Sequence, residues 1–499
     1  MRITNRMMTN NMLNNINKNK LNVSKYEEQY STGKKIQKPS DDPIVAVRAL
    51  KMRTNLAELN QYYEKNIPDA VSWMELTEGA LSNINDILKK INTLCVQGSS
   101  DTLTASDRNS IVQNLVELKN QIYEEGNSNY AGRYIFTGFK TDSSLTFLED
   151  TDNLRYDITE NFIGADIESI ARVSGSYEMG DYDNPMVDFD TPPQLENTYR
   201  LKLSYDNLDY IVIDSIRYSK PLPGGGSEEQ PLFTNIKTVS VNDPNAYVPD
   251  DTPPGINFIY ETGELILHKN VYEEFRTADN IQITYTKSAF EKGDLKPEHY
   301  FNCVMVDTAR PEKPPVNYVK QKQEIKYEIN YNQKLAINTE GSDAISHKIG
   351  TVIDDIVKSV DDVIQTESKI AEVKKRMQDI NLTEDQVKRY EKMLEQLEIE
   401  LTLKKEVMQK AFARGITCSN EEQDRVNVAI ADLGSRHFRL NLTENRLSTQ
   451  QVDFKELLSR NEDVDIVEAL INFNAAQILY NSSLSAAARV VQNSLLDFL

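Results

Sequence analysis

Apolar residues recur every third, fourth or seventh position at both ends of the chain, and that spacing predicts long helices there. From Arg2 to Tyr30 no Pro or Gly interrupts. Met8, Met12, Ile16, Val23, Tyr26 and Tyr30 share one face, opposite Asn10, Asn14, Asn17, Lys18 and Lys25. From Asp463 to Phe498 two series run at intervals of seven: Val467, Asn474, Asn481, Ala488, Leu495, and Leu470, Gln477, Leu484, Val491, Phe498. Such a repeat keeps one seam turned to a partner helix, and polar Asn474, Gln477 and Asn481 would specify its register. The same spacing also suits an ordinary core helix of a bundle. At 1.5 Å per residue the final helix would be roughly 50 Å long. Its stripe needs a partner, and the N-terminal helix offers one.

Between these ends the period changes twice. The stretch Ser31–Pro43 carries Gly33, Pro39 and Pro43 and predicts an extended loop, with Asp42 as N-cap and Pro43 opening the next helix. Helices are expected over Ile44 to about Tyr63, ending near Pro68. Another follows along Met74, Leu81, Leu88 and Cys95 to Gly98, and a third from Ala105 to Glu125. Gly126–Gly138 predicts a turn and a short hairpin. From Leu145 to about Asn338 the period is two: Leu201, Leu203, Tyr205; Ile256, Phe258, Tyr260; Leu265, Leu267; Ile281, Ile283, Tyr285. That is a β-rich insertion between two helical halves. Pro221–Ser227 is a surface loop, not a phosphate cradle, because no Gly-Lys-Ser/Thr follows it.

Helix returns at about Ser342, with Ile349, Ile356, Val363, Ile370 and Met377 on one stripe. After a break at Asn381–Leu382, Thr383 and Gln386 form a capping box, followed by Val387, Leu394, Leu401 and Met408. Gly415 is expected to end that helix and Ser419 with Glu422 to begin the next, striped by Val426, Leu433, Leu440, Leu447 and Phe454. Arg460–Glu462 predicts a bend. The fold class is therefore mainly α with an inserted β-rich domain. Terminal helices over 1–42 and 464–499 pair as a coiled coil, a helical-bundle rod spans 43–140 and 341–463, and an outer β domain spans 141–340.

Composition narrows the function. The 499 residues carry a formal net charge of −21, which argues against nucleic acid, because phosphate binding needs a cationic face. Three widely spaced cysteines, Cys95, Cys303 and Cys418, exclude a disulfide framework and offer no CxxC pair for zinc. No apolar run approaches a membrane span, and Met1–Lys20 contains no signal-peptide core, so a cytoplasmic protein is expected unless export uses an uncleaved signal. Among the four histidines no HExxH occurs. His299, near Glu298 and Cys303, is the nearest thing to a catalytic cluster and reads as a loop entering a strand. His437 reads as a core histidine. No enzyme, no cofactor and no metal are expected.

Three segments together resemble the flagellin superfamily, and within it the members of the hook–filament junction. They are Ser31-Thr32-Gly33-Lys34-Lys35-Ile36 with Pro39-Ser40-Asp41-Asp42-Pro43; Gly132-Arg133-Tyr134-Ile135-Phe136-Thr137-Gly138; and the tail, with Gly434-Ser435-Arg436, Glu444-Asn445-Arg446-Leu447, Glu462-Asp463, and the terminal Ser494-Leu495-Leu496-Asp497-Phe498-Leu499. The resemblance covers the first quarter and the last fifth of the chain. It implies a structural adaptor that forms a ring of copies of itself between hook-associated protein 1 and flagellin. It also implies export through the flagellar type III channel without a cleaved signal peptide, an export chaperone on the C-terminal helix, and an extracellular location on the flagellum. The assembly interface is expected at Met12, Ile16 and Val23 and at Leu470, Leu484, Val491 and Leu495. Two other readings stand: filament flagellin, and a surface adhesin or carbohydrate-binding module in the β domain.

Overall fold

A computed structural model of the chain describes residues 5–100, 103–184, 187–211, 213–222, 225–378 and 383–496. Among them the helices are α1 (Asn5–Thr32), α2 (Pro43–Gln61), α3 (Ile67–Gly98), α4 (Ala105–Glu125), α5 (Lys269–Phe275), α6 (Gly341–Ala344), α7 (Lys348–Arg376), α8 (Glu384–Glu462) and α9 (Ile466–Leu496). The strands begin with β1 (Asn129–Tyr130), β2 (Arg133–Tyr134), β3 (Leu154–Phe162), β4 (Glu168–Ser174) and β5 (Gln194–Lys202). They continue with β6 (Arg217–Pro221), β7 (Ser227–Glu229), β8 (Ile236–Val239), β9 (Ile256–Ile259) and β10 (Glu264–Leu267). The last are β11 (Asn280–Lys287), β12 (Asn302–Asp307), β13 (Val316–Tyr318), β14 (Lys326–Asn330) and β15 (Gln333–Ala336). In chain order, long helices at both ends flank a β-rich centre, as the two periods require. The chain divides into two compact units, one of Met1–Val71, Tyr327–Leu335 and His437–Leu499, the other of Ser72–Lys326 and Ala336–Arg436.

The helix starts follow local chemistry. The Asp42 carboxylate accepts from the Ile44 and Val45 amides, and Pro43 opens α2 where no N–H is needed. Thr383 and Gln386 exchange bonds in the expected capping box. Two helix ends differ from expectation. The path does not stop near Pro68. It widens into a π turn, Tyr62–Asn66, closed by the Ile67 amide on the Tyr62 carbonyl, and runs on into α3. Proline lacks an N–H and crowds the preceding turn, and one extra residue in that turn accommodates it.

Gly415 does not end a helix either, and Ser419 starts none, since α8 is continuous from Glu384 to Glu462. A Cβ at Gly415 would lie 2.8 Å from Ile356 Cδ1 and 2.9 Å from Cys95 Sγ, so the glycine lets α8 approach its neighbours closely. Gly434, in the same helix, has nothing within 4 Å of a built Cβ. The two glycines should therefore respond oppositely to alanine. Gly434→Ala should raise stability by about 0.5–1 kcal/mol through helix propensity alone. Gly415→Ala should lower it by about 1 kcal/mol, because overpacking of about 1–3 kcal/mol exceeds that gain. Urea denaturation of the two variants checks the signs. The break at Asn381–Leu382 lies outside the described residues.

The β region of the second unit is two facing sheets. One has the order β4-β5-β10-β9-β8, the other β13-β12-β3-β11-β6-β7. Strand alternation sorts the side chains. Leu201, Ile256, Phe258, Leu265 and Leu267 of the first sheet share a core with Tyr156, Ile158, Ile281, Ile283 and Cys303 of the second. The opposite face of β9 and β10 is also covered, because Ile259 and Ile266 pack with Val239, Ala246 and Tyr247. The same alternation turns Arg200 of β5 and Glu264 of β10 away from the shared core. There Arg200 bonds Glu264 at 2.7 Å and Asp355 of α7 at 2.6 Å, and Lys202 reaches Asp355 at 2.5 Å. Glu160 is the polar exception within β3, fully buried and accepting from Tyr285 and from Ser204.

The helices of this unit pack in pairs. Lys119 of α4 bonds Asp354 of α7 at 2.8 Å, and Asn92 of α3 bonds Ser419 and Asn420 of α8. The stripe read from the sequence is buried at Ile349, Ile356, Val363 and Ile370 of α7 and at Val426 and Leu433 of α8. After β4 the chain makes an excursion onto the tips of α7 and α8. Phe189 enters a cluster with Val373, Tyr390, Met393 and Leu397, and Tyr182 stacks on Tyr390 at 3.8 Å.

Candidate assembly interface

The first unit is built on α1 and α9, which run antiparallel. Tyr30 stacks on Phe473 with ring centroids 6.4 Å apart, and Asn19 Nδ2 donates to Ser483 Oγ at 2.8 Å. The half-buried positions of α1 are Thr9, Met12, Ile16, Asn19, Val23, Tyr26 and Gln29, spaced three and four apart. On α9 the covered positions include Ala469, Phe473, Ala476, Tyr480, Ser483 and Ala487, also three and four apart. Both are heptad seams, and both ends of the chain satisfy part of their stripe within one molecule.

The seam on α9 is not the series with the largest side chains. Leu470 and Leu484 are exposed, as are Val467, Asn474, Asn481 and Gln477. The α1-facing residues lie out of phase with them and are mostly small or aromatic. Small residues let two helix backbones come close, so α1 docks on alanine and serine while the bulky aliphatics point outward. Of the expected interface residues, Met12, Ile16 and Val23 lie on the half-buried stripe of α1, and Leu470 and Leu484 on the outer side of α9. Val491 and Leu495 fall within the backbone of α9, with their side chains outside the described residues. The closing Asp497-Phe498-Leu499 also lies outside them.

A clasp at the other end of the pair had no signal in hydrophobic spacing. The loop after α1 lies along the short break between α8 and α9. The Val464 amide donates to the Gly33 carbonyl at 2.9 Å, and the Lys35 amide to the Glu462 carbonyl at 2.6 Å. Gly33 has φ +69°, a left-handed conformation that suits glycine. Lys34 bonds Asp463 at 2.5 Å, which raises its own pKa and lowers that of Asp463. The Glu462 side chain, 3% exposed, accepts from Arg53 at 2.6 Å and from Lys34 at 3.4 Å. Asn461 Nδ2 donates to the Val45 carbonyl, and Gln451 to Asn60 and Glu64. The bend expected at Arg460–Glu462 therefore falls just after it, and α9 begins at Ile466 rather than Asp463. The pairing of Glu462 with Lys34 and Arg53 was hidden because its members lie more than 400 positions apart.

Much of what α9 leaves uncovered is apolar. On α9, Ile466, Val467, Ile471, Ile478 and Leu479 are each more than 60% exposed. On α1 and α2 the same holds for Leu21, Ile44 and Val47. A folded monomer seldom leaves so many large aliphatics on one element, and such surfaces mark places where another molecule packs.

The catalytic candidates resolve into structure. His299 sits in a buried turn entering β12, and burial pushes its pKa down to about 3. His437 is half-buried rather than a core residue. Burial pushes the thiols of Cys95, Cys303 and Cys418 up to about 12, so none is a reactive thiolate at neutral pH. Among the described residues no His/Cys/Asp/Glu cluster could hold a metal ion, and no helix is long and apolar enough to cross a membrane.

Comparison with known proteins bears on both ends of the chain. The bacterial flagellin N-terminal helical region matches residues 3–141, and the bacterial flagellin C-terminal helical region matches residues 418–499. Both ends of the chain are thus similar to the helical regions of bacterial flagellins. Similar curated proteins of the superfamily include a flagellin of Clostridium tyrobutyricum, 37% identical over 122 residues, which are 24% of this chain and 32% of that protein. Flagellar hook-associated protein 3 of Escherichia coli K12 is 32% identical over 145 residues, 29% of this chain and 45% of the relative. The chain thus spans about a third to a half of the length of the curated relatives it matches. Among solved structures, a putative flagellar hook-associated protein from Vibrio parahaemolyticus overlaps 85% of this chain and 100% of its own, at 10% identity and a TM-score of 0.37. Flagellar hook-associated protein 3 from Legionella pneumophila overlaps 82% and 97%, at 12% identity and a TM-score of 0.29. The paired α1 and α9 and the clasp lie within the matched terminal regions.

Proposed function

We propose that this chain is a structural adaptor of the bacterial flagellum that joins the hook to the flagellin filament and catalyses nothing. It acts by self-assembly. The outward aliphatics of α9, with Leu470 and Leu484 among them, are desolvated when copies of the chain add to a ring. The observation that carries this reading is the exposed row from Ile466 to Leu484 on a helix already docked to α1. Each such side chain is worth about 1.5–3 kcal/mol when buried, so a few per subunit outweigh the cost of immobilising it.

The relatives named hook-associated protein 3 support the junction over other places in the flagellum. On that reading the ring meets hook-associated protein 1 on one side and flagellin on the other. An export chaperone covers the stripe of α9 before assembly, and the protein leaves the cell through the flagellar export channel without a cleaved signal. Residues 1–42 with 464–499 form the assembly region, 43–140 with 341–463 the rod, and 141–340 the outer domain. Met12, Ile16 and Val23 hold α1 on α9, and Leu470, Leu484, Val491 and Leu495 meet neighbouring subunits.

A second reading, filament flagellin, is favoured by the match to the flagellin of Clostridium tyrobutyricum. Gold-labelled antibody against the full chain separates the two by electron microscopy of intact flagella. Label confined to a short zone between hook and filament is expected. Label along the whole filament would replace the adaptor with a filament subunit.

A further inference from the structure

A cavity of about 310 Å³ lies in the second unit between the outer face of β4, β5 and β10 and the helices α7 and α8. Its volume is at the lower end of the range of about 300–1,000 Å³ typical of small-molecule sites. Six cationic side chains line it, Arg172, Arg200, Lys358, Lys369, Lys404 and Arg414, against four carboxylates. Glu168 and Glu400, just behind the lining, bring the acids to the same number as the cations.

Most of these cations are already matched. Lys369 bonds Glu178, Lys404 bonds Glu400, Arg414 bonds Glu168, and Arg200 holds Glu168, Glu264 and Asp355. Two are left over. Arg172 lies over the ring of Tyr247 at 3.9 Å, and Lys358 Nζ donates to the Tyr247 hydroxyl at 3.3 Å. Neither has a carboxylate within ion-pair distance among the described residues, although Asp362 of the lining lies close enough to feel both charges. The Tyr247 hydroxyl in turn donates to Glu264 at 3.1 Å, so the ring that positions both cations is itself fixed. Arg200 Nε is buried in the same wall with no hydrogen-bond partner. Ser176 and Gln365 are exposed at the rim and supply hydrogen-bonding groups for a ligand's polar part.

We infer that this cavity is a binding site for a small carboxylate- or phosphate-bearing ligand, gripped between Arg172 and Lys358. Arginine presents a planar fork to an oxyanion and lysine a mobile point charge, so together they suit either chemistry. The site lies outside the terminal helices, and its occupancy does not depend on assembly.

Isothermal titration of the full chain at low ionic strength tests this with two probes, inorganic phosphate and glucuronate, and with glucose as the uncharged control. Saturable binding of one equivalent of either anion is expected, and none of glucose. The preferred anion identifies the ligand's acid. Arg172→Gln and Lys358→Gln should each weaken binding at least about tenfold, the loss of one charge-assisted contact. Lys374→Gln removes the same charge from an exposed site on α7 and should leave binding unchanged. Lys358 is solvent-exposed, so its variant keeps the test valid if Arg172→Gln does not fold. Dissociation constants above about 10 mM for both anions overturn the site. So does binding that survives both variants, or that falls equally with Lys374→Gln.

Discussion

Truncation after Glu462 should abolish polymerisation while leaving the second unit, Ser72–Lys326 with Ala336–Arg436, folded. The truncation removes α9 and with it three things: the partner of α1, the Asp463 and Val464 half of the clasp, and the outward aliphatic row. An isolated helix of α1's 28 residues has a low mean hydropathy and little to hold it in water. The row is the larger loss. Three aliphatic contacts per subunit, at about 1.5–3 kcal/mol each, amount to roughly 5–9 kcal/mol, more than three powers of ten in the association constant. Sedimentation of the purified protein against concentration should therefore show no polymer for the truncated chain. Leu470→Asp and Leu484→Asp should each raise the critical concentration by at least about tenfold, since a carboxylate there would be desolvated without a partner. Neither touches the α1-facing seam, so α1 and α9 should stay paired, which far-ultraviolet circular dichroism reads out. Polymer formed by the truncated chain at the parent concentration would show that the terminal helices do not drive assembly.

The pattern of apolar positions carried the architecture further than it carried the interface. The switch from period seven to period two and back located the helical halves and the β-rich centre, because burial on one face of each element is what sets the period. It also marked the core stripes of α7 and α8 at Ile356, Val363, Val426 and Leu433. On α9 the period was right and the phase was wrong for the helix nearest to hand. A chain that must satisfy two partners from one helix carries two stripes, and spacing alone does not say which belongs to its own molecule. The small residues Ala469, Ala476 and Ser483, also seven apart, held that signal. Gly415 misled for a related reason. Glycine stops a helix when its backbone freedom is used, and sits within one when its lack of a side chain is used. Only the position of Ile356 and Cys95 distinguishes the two. The clasp of Glu462 with Lys34 and Arg53, and the Arg200 network, were out of reach because charge pairing over hundreds of residues leaves no periodic trace.

Arg200 gives one of the larger stability effects expected of a single side chain in the second unit. Its side chain is 5% exposed, and it meets Glu264, also 5% exposed, and Asp355, 13% exposed. Arg200→Met should therefore cost about 3–5 kcal/mol at neutral pH, because two carboxylates are left in a buried site without their principal cation. Trp73, the sole tryptophan, is buried in the same unit against Tyr130, and its fluorescence reports the transition in urea. Replacing the carboxylates as well, with Glu264→Gln and Asp355→Asn, should recover most of the loss, which a mere packing defect would not allow. The pH dependence follows from the direction of the shifts. Burial pushes Asp355 up, but Arg200 and Lys202 outweigh it and hold the carboxyl far below the usual range; Glu264 is lowered by the same balance. The stability these groups contribute is fully present above the unfolded carboxylate pKa near 4 and is lost as pH falls below it. The deficit of Arg200→Met should accordingly be largest at neutral pH and shrink on acidification. Glu160 acts in the opposite sense, since burial raises it to about 7. Its folded form keeps a proton that the unfolded chain has lost, so stability falls as pH rises from about 4.5 to 7. That slope is common to parent and variant and cancels in their difference, so a deficit that grew on acidification would count against the ion network.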